Sequence, residues 1–369
     1  MSDAVTAVEP RGGDRGTASL AQSLARDDTA WDDLVADSAQ PCYLQTTPWA
    51  AIKRVNGWMS RRVITTTANG PVAAQMLVRR PRGAPWSLGY IPRGPVSPRP
   101  LDAAALTAFD HQLRAVARAK RIAVVRMEPE AESGRGLEDT LRSLGWRPVH
   151  SIQQVTTRII DIARPQEQIW ADLHRKTRQS ITKSERLGVR VVVGDGSRLG
   201  DFYRIHLDSM TRQGIAARSE RTFHEMWRHL EPRGMAHLFF AEIAATSEPV
   251  AALFLISSGP RVADLYGGTT HEGNQRRANH LLKWEAIRLS QDRGYREYDL
   301  WGLPRDGIAQ FKSGFGGREV DYVGGWELTV GRLGPRIMSA AEGLWDRYRR
   351  LRGVRRPERS YEDGTIGQR

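Results

Sequence analysis

A chain of 369 residues, 40% of them hydrophobic, is long enough for two globular domains and too apolar to be disordered as a whole. It contains no uninterrupted apolar run of about 18 residues, which excludes a membrane-spanning helix, and its one cysteine, Cys42, excludes an intrachain disulfide and a cysteine-ligated zinc site. The net charge of +13 favours a polyanionic partner (nucleic acid, an anionic membrane surface or a phosphorylated substrate), with an arginine-rich proteome as the plain alternative.

The N-terminus, MSDAVTAVEPRGGDRG, has acids and glycines where a signal peptide has its apolar segment, so a cytoplasmic location is expected. Residues 1–25 lack periodicity and read as a disordered tail, as do residues 353–369. Between them runs an internal repeat. GPVAAQMLV (70–78) returns as EPVAALFLI (248–256). A strand precedes each copy, RRVITTT (61–67) and HLFFAEIAA (237–245). Each is followed by another strand, WSLGYIPRGPV (86–96) and RVADLYGGTT (261–270), then by a helical pattern starting near 102 or 278, then by a short strand, RIAVVRME (121–128) or REYDLWG (296–302). Three antiparallel strands, a helix and a further strand form the core of the Gcn5-related acyltransferase fold. The predicted fold class is therefore α/β (α+β), with two such domains in tandem: 26–163 and 164–330, the first completed by a helix within 331–352.

Residues 165–188 predict one helix, with Pro165 at its start and Gly188 at its end. Arg175, Lys176, Arg178, Lys183 and Arg186 make it basic. That pattern fits a solvated face and a phosphate-contacting face alike.

Motifs for common chemistries are missing: there is no GxSxG, HExxH or GxxxxGK[ST]. Cys42 reads as a small buried residue. An acyl-CoA enzyme of this fold would show a Q/R-x-x-G-x-G/A turn before the helix. Here Gln275, Ala278 and His280 give Q-x-x-A-x-H, and the first copy has no counterpart. In YDLWGLPRDGIAQFKSGFGG (298–317), glycines surround Phe311 and Lys312. A lysine so placed serves either a bound anion or a developing oxyanion, or is simply a surface lysine on a turn.

YLQTTPWAAIKRVNGW (43–58), GYIPRGPV (89–96), WADLHRKTRQSITKSERLGVRV (170–191), LYGG (265–268), YDLWG (298–302) and FKSGFGG (311–317) occur in the order of the Fem (FemABX) family of peptidoglycan-bridge aminoacyltransferases, which the chain resembles from about residue 40 to 350. The resemblance implies two Gcn5-like domains; the inserted helical hairpin of some members is missing here. It implies transfer of an amino acid, with glycine preferred and alanine or serine open, from aminoacyl-tRNA to the stem-peptide amine of a UDP-linked or lipid-linked peptidoglycan precursor. No cofactor is expected beyond aminoacyl-tRNA as co-substrate, and contact with the inner face of the membrane is compatible with a lipid-linked acceptor. Residue by residue, it implies that Lys53 (with Gln45 and Trp49 in Q-x-x-x-W-x-x-x-K) and Arg212 bind precursor phosphate and that Tyr266 lines the precursor site. Glu128, counted with them among the substrate-binding residues, stands where the family usually has Asp. Phe311 and Lys312 would serve the tRNA acceptor end and the reaction, and Arg175, Lys176, Arg178 and Lys183 the tRNA phosphates. A related enzyme of peptide-antibiotic biosynthesis, an acyl-CoA-dependent N-acyltransferase and a nucleic-acid-binding protein on an inactive scaffold are the alternatives.

Overall fold

The computed structural model describes residues 15–215, 217–303 and 307–331; the expected helix within 331–352 and the tail at 353–369 lie outside them, apart from Gly331. The described residues form two units: 15–155 together with 322–331, and those within 156–321.

The first unit opens with α1 (Arg15–Arg26), α2 (Asp28–Ala36), a 3₁₀ turn at Tyr43–Gln45 and α3 (Thr47–Val55). The tail expected over 1–25 is thus helical from Arg15. Its few apolar residues hide this, but Leu24 is buried beside Trp31 and Val35 of α2, and the Arg62 guanidinium donates to the carbonyls of Leu24 (2.9 Å) and Asp27 (3.1 Å), satisfying the end of the helix. Then come β1 (Met59–Thr67), β2 (Gly70–Arg79), β3 (Ser87–Pro92), α4 (Ala103–Ala119), β4 (Ile122–Glu128), α5 (Leu137–Ser143) and β5 (Arg147–Val149). Asp102 caps α4 through the Ala105 amide at 2.7 Å. Leu106, Phe109, Leu113 and Ala117 recur every three or four residues and bury one face of α4 against Val63, Ala74, Met76, Ile91 and Val125 of the sheet.

The second unit contains β6 (Thr156–Asp161), α6 (Gln166–Asp172), α7 (Arg175–Arg186), β7 (Val189–Gly194), α8 (Leu199–Arg212), α9 (Glu220–Leu230), β8 (Ala236–Ile243), β9 (Glu248–Ser258), β10 (Arg261–Thr269), α10 (His271–Gln275), α11 (Ala278–Asp292), β11 (Glu297–Asp299), α12 (Gly307–Ser313) and β12 (Arg318–Asp321). Only a 3₁₀ turn at Glu231–Arg233 separates α9 from β8, so no hairpin is inserted there. The last described strand, β13 (Gly325–Thr329), belongs to the first unit.

The sheets run β1-β2-β3-β4-β13-β5 and β12-β6-β11-β10-β9-β8-β7. The repeat is visible in the pairing. β1, β2 and β3 are antiparallel, and β3 runs parallel to β4 up to Pro92↔Glu128. Likewise β8, β9 and β10 are antiparallel, and β10 runs parallel to β11 up to Ala263↔Asp299. The boundaries expected at 163/164 and 330/331 move. Residues 156–161 pair with β11 and β12 in the second sheet, and residues 325–329 pair with β4 and β5 in the first. The first unit is discontinuous, as expected, but among the described residues a strand completes it.

Candidate active site

The second unit has a cleft of about 390 Å³ whose lining includes Thr269, His280, Lys283, Asp264, Phe311 and Lys312. It opens where the parallel pair diverges: β11 stops at Asp299, while β10 continues past a bulge at Asp264/Tyr266 to Thr269. A crevice beyond the carboxyl ends of parallel strands is a preferred ligand site in open sheets.

The YDLWG segment builds a seat for Lys312. Asp299 Oδ1 accepts from Thr157 Oγ1 at 2.5 Å and from the Trp301 amide at 2.8 Å, and the Gly302 amide donates to Thr157 Oγ1 at 3.0 Å. Trp301 and Gly302 both have positive φ, 45° and 89°, a backbone state rare for tryptophan. In this conformation their carbonyls meet Lys312 Nζ, at 3.1 Å and 2.8 Å. An ammonium has three donors, so one remains for a ligand oxygen. Burial lowers the Lys312 pKa to about 8; Lys283 adds to the lowering, and Asp264 and Asp299 oppose it.

The glycines after Lys312 are explained by close approach. The Gly314 carbonyl accepts the His174 amide at 2.9 Å, and a Cβ on Gly314 would lie 2.4 Å from Thr177 Oγ1. On Gly316 a Cβ would lie 3.1 Å from the Asp172 carbonyl, and both Gly316 and Gly317 have positive φ. The single helix expected over 165–188 breaks at this contact into α6 and α7, with His174 extended.

Phe311, beside Lys312, meets the His280 ring edge-on at 4.9 Å and Phe315 at 5.3 Å. Burial, then the nearby Arg277 charge, pushes the His280 pKa down to about 4, so its imidazole is neutral at pH 7. Beneath them Lys283 forms a buried ion pair with Asp264, and Tyr298 Oη donates to the same carboxylate oxygen at 2.9 Å. Burial and Asp264 push the Tyr298 pKa up. The sequence expectations missed Asp264, Lys283 and Tyr298. A signal existed in Lys283, a charge set between Leu282 and Trp284 on a helix with most of its length covered.

Arg212 lies behind the cleft rim. Its guanidinium bonds the Thr269 carbonyl and pairs with Asp208 at 3.2 Å, tying the end of α8 to β10. Tyr266 is on β10 but not in the cleft lining; its ring sits among Phe223 (5.2 Å), His206 (6.2 Å) and the Arg218 guanidinium (5.6 Å). On α7, Arg175, Lys176 and Lys183 are exposed. Arg178 is engaged otherwise than the basic-face expectation has it: its Nη1 donates to the carbonyls of Trp170 (3.3 Å), Ala171 (2.8 Å) and Leu173, closing α6.

Lys53 and Glu128 are in the first unit. Lys53 Nζ lies 5.1 Å from the centroid of the buried Trp49 ring. Gln45 is fully buried and structural, its amide donating to the Pro92 carbonyl at 2.6 Å while its oxygen accepts the Gln75 amide at 2.7 Å. Glu128 is also buried. It accepts from the amides of Ile152 (3.0 Å) and Gln153 (2.7 Å) and from Tyr90 Oη (3.2 Å). Burial raises its pKa against those hydrogen bonds. These contacts make Glu128 an anchor for the 152–153 turn.

Comparison with known proteins agrees with this geometry. The FemAB family model matches residues 27–136, and an acetyltransferase (GNAT) domain model matches residues 171–313. The lipid II:glycine glycyltransferase of Staphylococcus haemolyticus (strain JCSC1435) is 27% identical over 212 residues, covering 54% of this chain and 50% of that protein. Its counterpart in Staphylococcus saprophyticus is 26% identical over 227 residues, 58% of this chain and 54% of that protein. The chain thus spans about half the length of the curated relatives it matches. The crystal structure of FemX superposes with a TM-score of 0.74 at 19% identity, covering 82% of this chain and 96% of that one. A Bacteroides thetaiotaomicron protein of unknown function gives a TM-score of 0.55 at 9% identity, over 83% and 97%. The chain is thus similar to the Fem family over residues 27–136 and to acetyltransferase (GNAT) domains over residues 171–313, and it shares the fold of FemX.

Proposed function

We propose that this chain is an aminoacyltransferase that moves an amino acid, glycine by preference, from aminoacyl-tRNA to the stem-peptide amine of a peptidoglycan precursor. The observation that carries the reading is Lys312 in the cleft wall, held by two carbonyls with one donor left over. The relatives named lipid II:glycine glycyltransferase support glycine as the group moved and a lipid-linked precursor as the acceptor.

An aminoacyl ester is already activated, so no covalent enzyme intermediate is needed. The neutral acceptor amine attacks the ester carbonyl carbon. A C–N bond forms, and negative charge develops on the carbonyl oxygen, where the remaining Lys312 N–H stabilises it. The C–O bond to the ribose then breaks, the amine loses its proton and the ribose oxygen gains one. With a pKa near 8, Lys312 is charged at neutral pH and still able to give up a proton to the leaving oxygen. Phe311 and His280 form an aromatic wall beside it, and the exposed Arg175, Lys176 and Lys183 would meet tRNA phosphates without reading sequence.

The test is transfer of radiolabelled glycine from charged tRNA to purified UDP-linked and lipid-linked precursors, with Lys312→Ala alongside. RNase-sensitive labelling that the variant reduces by about 10²-fold or more is expected. Absence of transfer from glycyl-, alanyl- and seryl-tRNA to either precursor would refute the reading.

A further inference from the structure

Between Asp37 and Asp102 the chain has no Asp or Glu, yet it has nine Lys and Arg residues. Three of the nine bond to groups in other segments of the chain. Arg62 pairs with Asp28, Arg93 is buried with its guanidinium on the Gln154 carbonyl at 2.5 Å, and Arg99 donates to Asn69 at 3.0 Å. Most of the others gather at one end of the first unit. α3 ends at Val55, where the Trp58 amide donates back to the Lys53 carbonyl at 3.2 Å and turns the chain into β1. Met59, the first residue of β1, pairs with Val78, so Arg79, Arg80 and Arg82 leave β2 at the same end. The Arg79 guanidinium lies 5.7 Å from the centre of the Trp58 ring, joining the two segments.

This end also exposes apolar side chains that nothing within the unit covers: Val55 is 43% exposed and Met59 51%. Arg54, Arg80 and Arg82 beside them are exposed too. Exposed guanidinium groups such as these attract any polyanion. Aliphatic and indole groups standing among them gain nothing from a phosphodiester backbone, whereas in a lipid headgroup layer they enter the acyl boundary while the arginines meet the phosphates.

We infer that the surface formed by Arg54, Val55, Trp58, Met59, Arg80 and Arg82 docks the protein on an anionic lipid bilayer. The inference stands without the proposed transferase reaction, and its test needs no turnover.

The experiment is flotation of the full-length protein with vesicles of phosphatidylcholine alone or mixed with phosphatidylglycerol. Binding is expected to the mixed vesicles only, and to weaken as salt rises. The triple variant Arg54→Glu, Arg80→Glu, Arg82→Glu should lower the partition coefficient by about two orders of magnitude or more, and Val55→Asp with Met59→Asp by roughly tenfold. All these positions are exposed, so unfolding curves matching wild type are expected; Val55→Ser with Met59→Ser repeats the apolar arm with less perturbation. Equal binding to both vesicle types would overturn the inference. So would unchanged vesicle binding by both apolar double variants. If the charge variant then lost affinity for RNA, the surface would be assigned to nucleic acid instead.

Discussion

Lys312 makes a prediction about folding that is independent of any assay of catalysis. Its pKa is lowered from the ordinary 10.5 to about 8, mainly because its ammonium is desolvated. Below pH 8 the folded state must keep that charge out of water, and the penalty is fully present. Between pH 8 and 10.5 the folded state releases its proton while the unfolded chain retains it. The unfolded state then binds more protons, so stability rises with pH. At ~1.4 kcal/mol for each step of one in pKa, the whole effect is about 3 kcal/mol. That is an upper bound, because the residue is half-buried as a whole. Lys312→Met also removes the two hydrogen bonds to the 301 and 302 carbonyls, a loss that does not vary with pH. Urea unfolding of wild type and Lys312→Met at pH 7, 8, 9 and 10 should therefore show wild type gaining roughly 2–3 kcal/mol on the variant across the series. The series stops at pH 10 because Tyr90 and Tyr298, whose pKa values burial raises, favour unfolding above it. A difference between the two proteins that stays flat from pH 7 to 10 would refute the buried, carbonyl-held ammonium.

Three further outcomes are expected. Lys283→Met and Asp264→Asn should each destabilise the protein by about 3–5 kcal/mol, as breaking a buried pair leaves one polar partner stranded, while a double variant with both replaced by apolar residues should cost less than either; urea unfolding of the three chains measures this. Arg178→Ala should cost about 1.5–3 kcal/mol of stability by removing its charged hydrogen bonds and barely change the salt dependence of tRNA binding, whereas Arg175→Ala, Lys176→Ala and Lys183→Ala should leave stability within about 0.5 kcal/mol of wild type and each lower the log–log salt slope, by roughly 0.7–0.9 for every phosphate no longer neutralised. Gly314→Ala should destabilise by about 1–3 kcal/mol, because its Cβ would strike Thr177 Oγ1, and Thr177→Ala in the same chain should restore part of the loss, which thermal unfolding of both variants would show.

The parts of this molecule that could be read from sequence are those where local pattern and tertiary role coincide. The PVAA repeat was legible because two copies of one supersecondary unit carry the same continuous apolar run, and the structure pairs both in the same way. The strand that completes the first sheet was not, because residues 325–329 are assigned to it only by partners almost two hundred residues away. The same contrast divides the site. Phe311 and Lys312 stand out among glycines, and the three that follow, Gly314, Gly316 and Gly317, proved to be positions where backbone or side chain leaves no room for a Cβ. Asp264 and Lys283 are nineteen positions apart, and nothing in their spacing joins them; only the packing of β10 with α11 makes burial of both tolerable. Arg178 errs in the opposite direction. It belongs to a basic stretch that fits a polyanion-binding face, yet the break at His174 leaves the carbonyls of Ala171 and Leu173 without helical donors. The nearest long donor is then drawn inward. A charge run shows how many cations a helix carries, and the open carbonyls around the helix decide which of them reach solvent. In α7 that division leaves Arg175, Lys176 and Lys183 outside, the subset whose salt dependence should separate from that of Arg178.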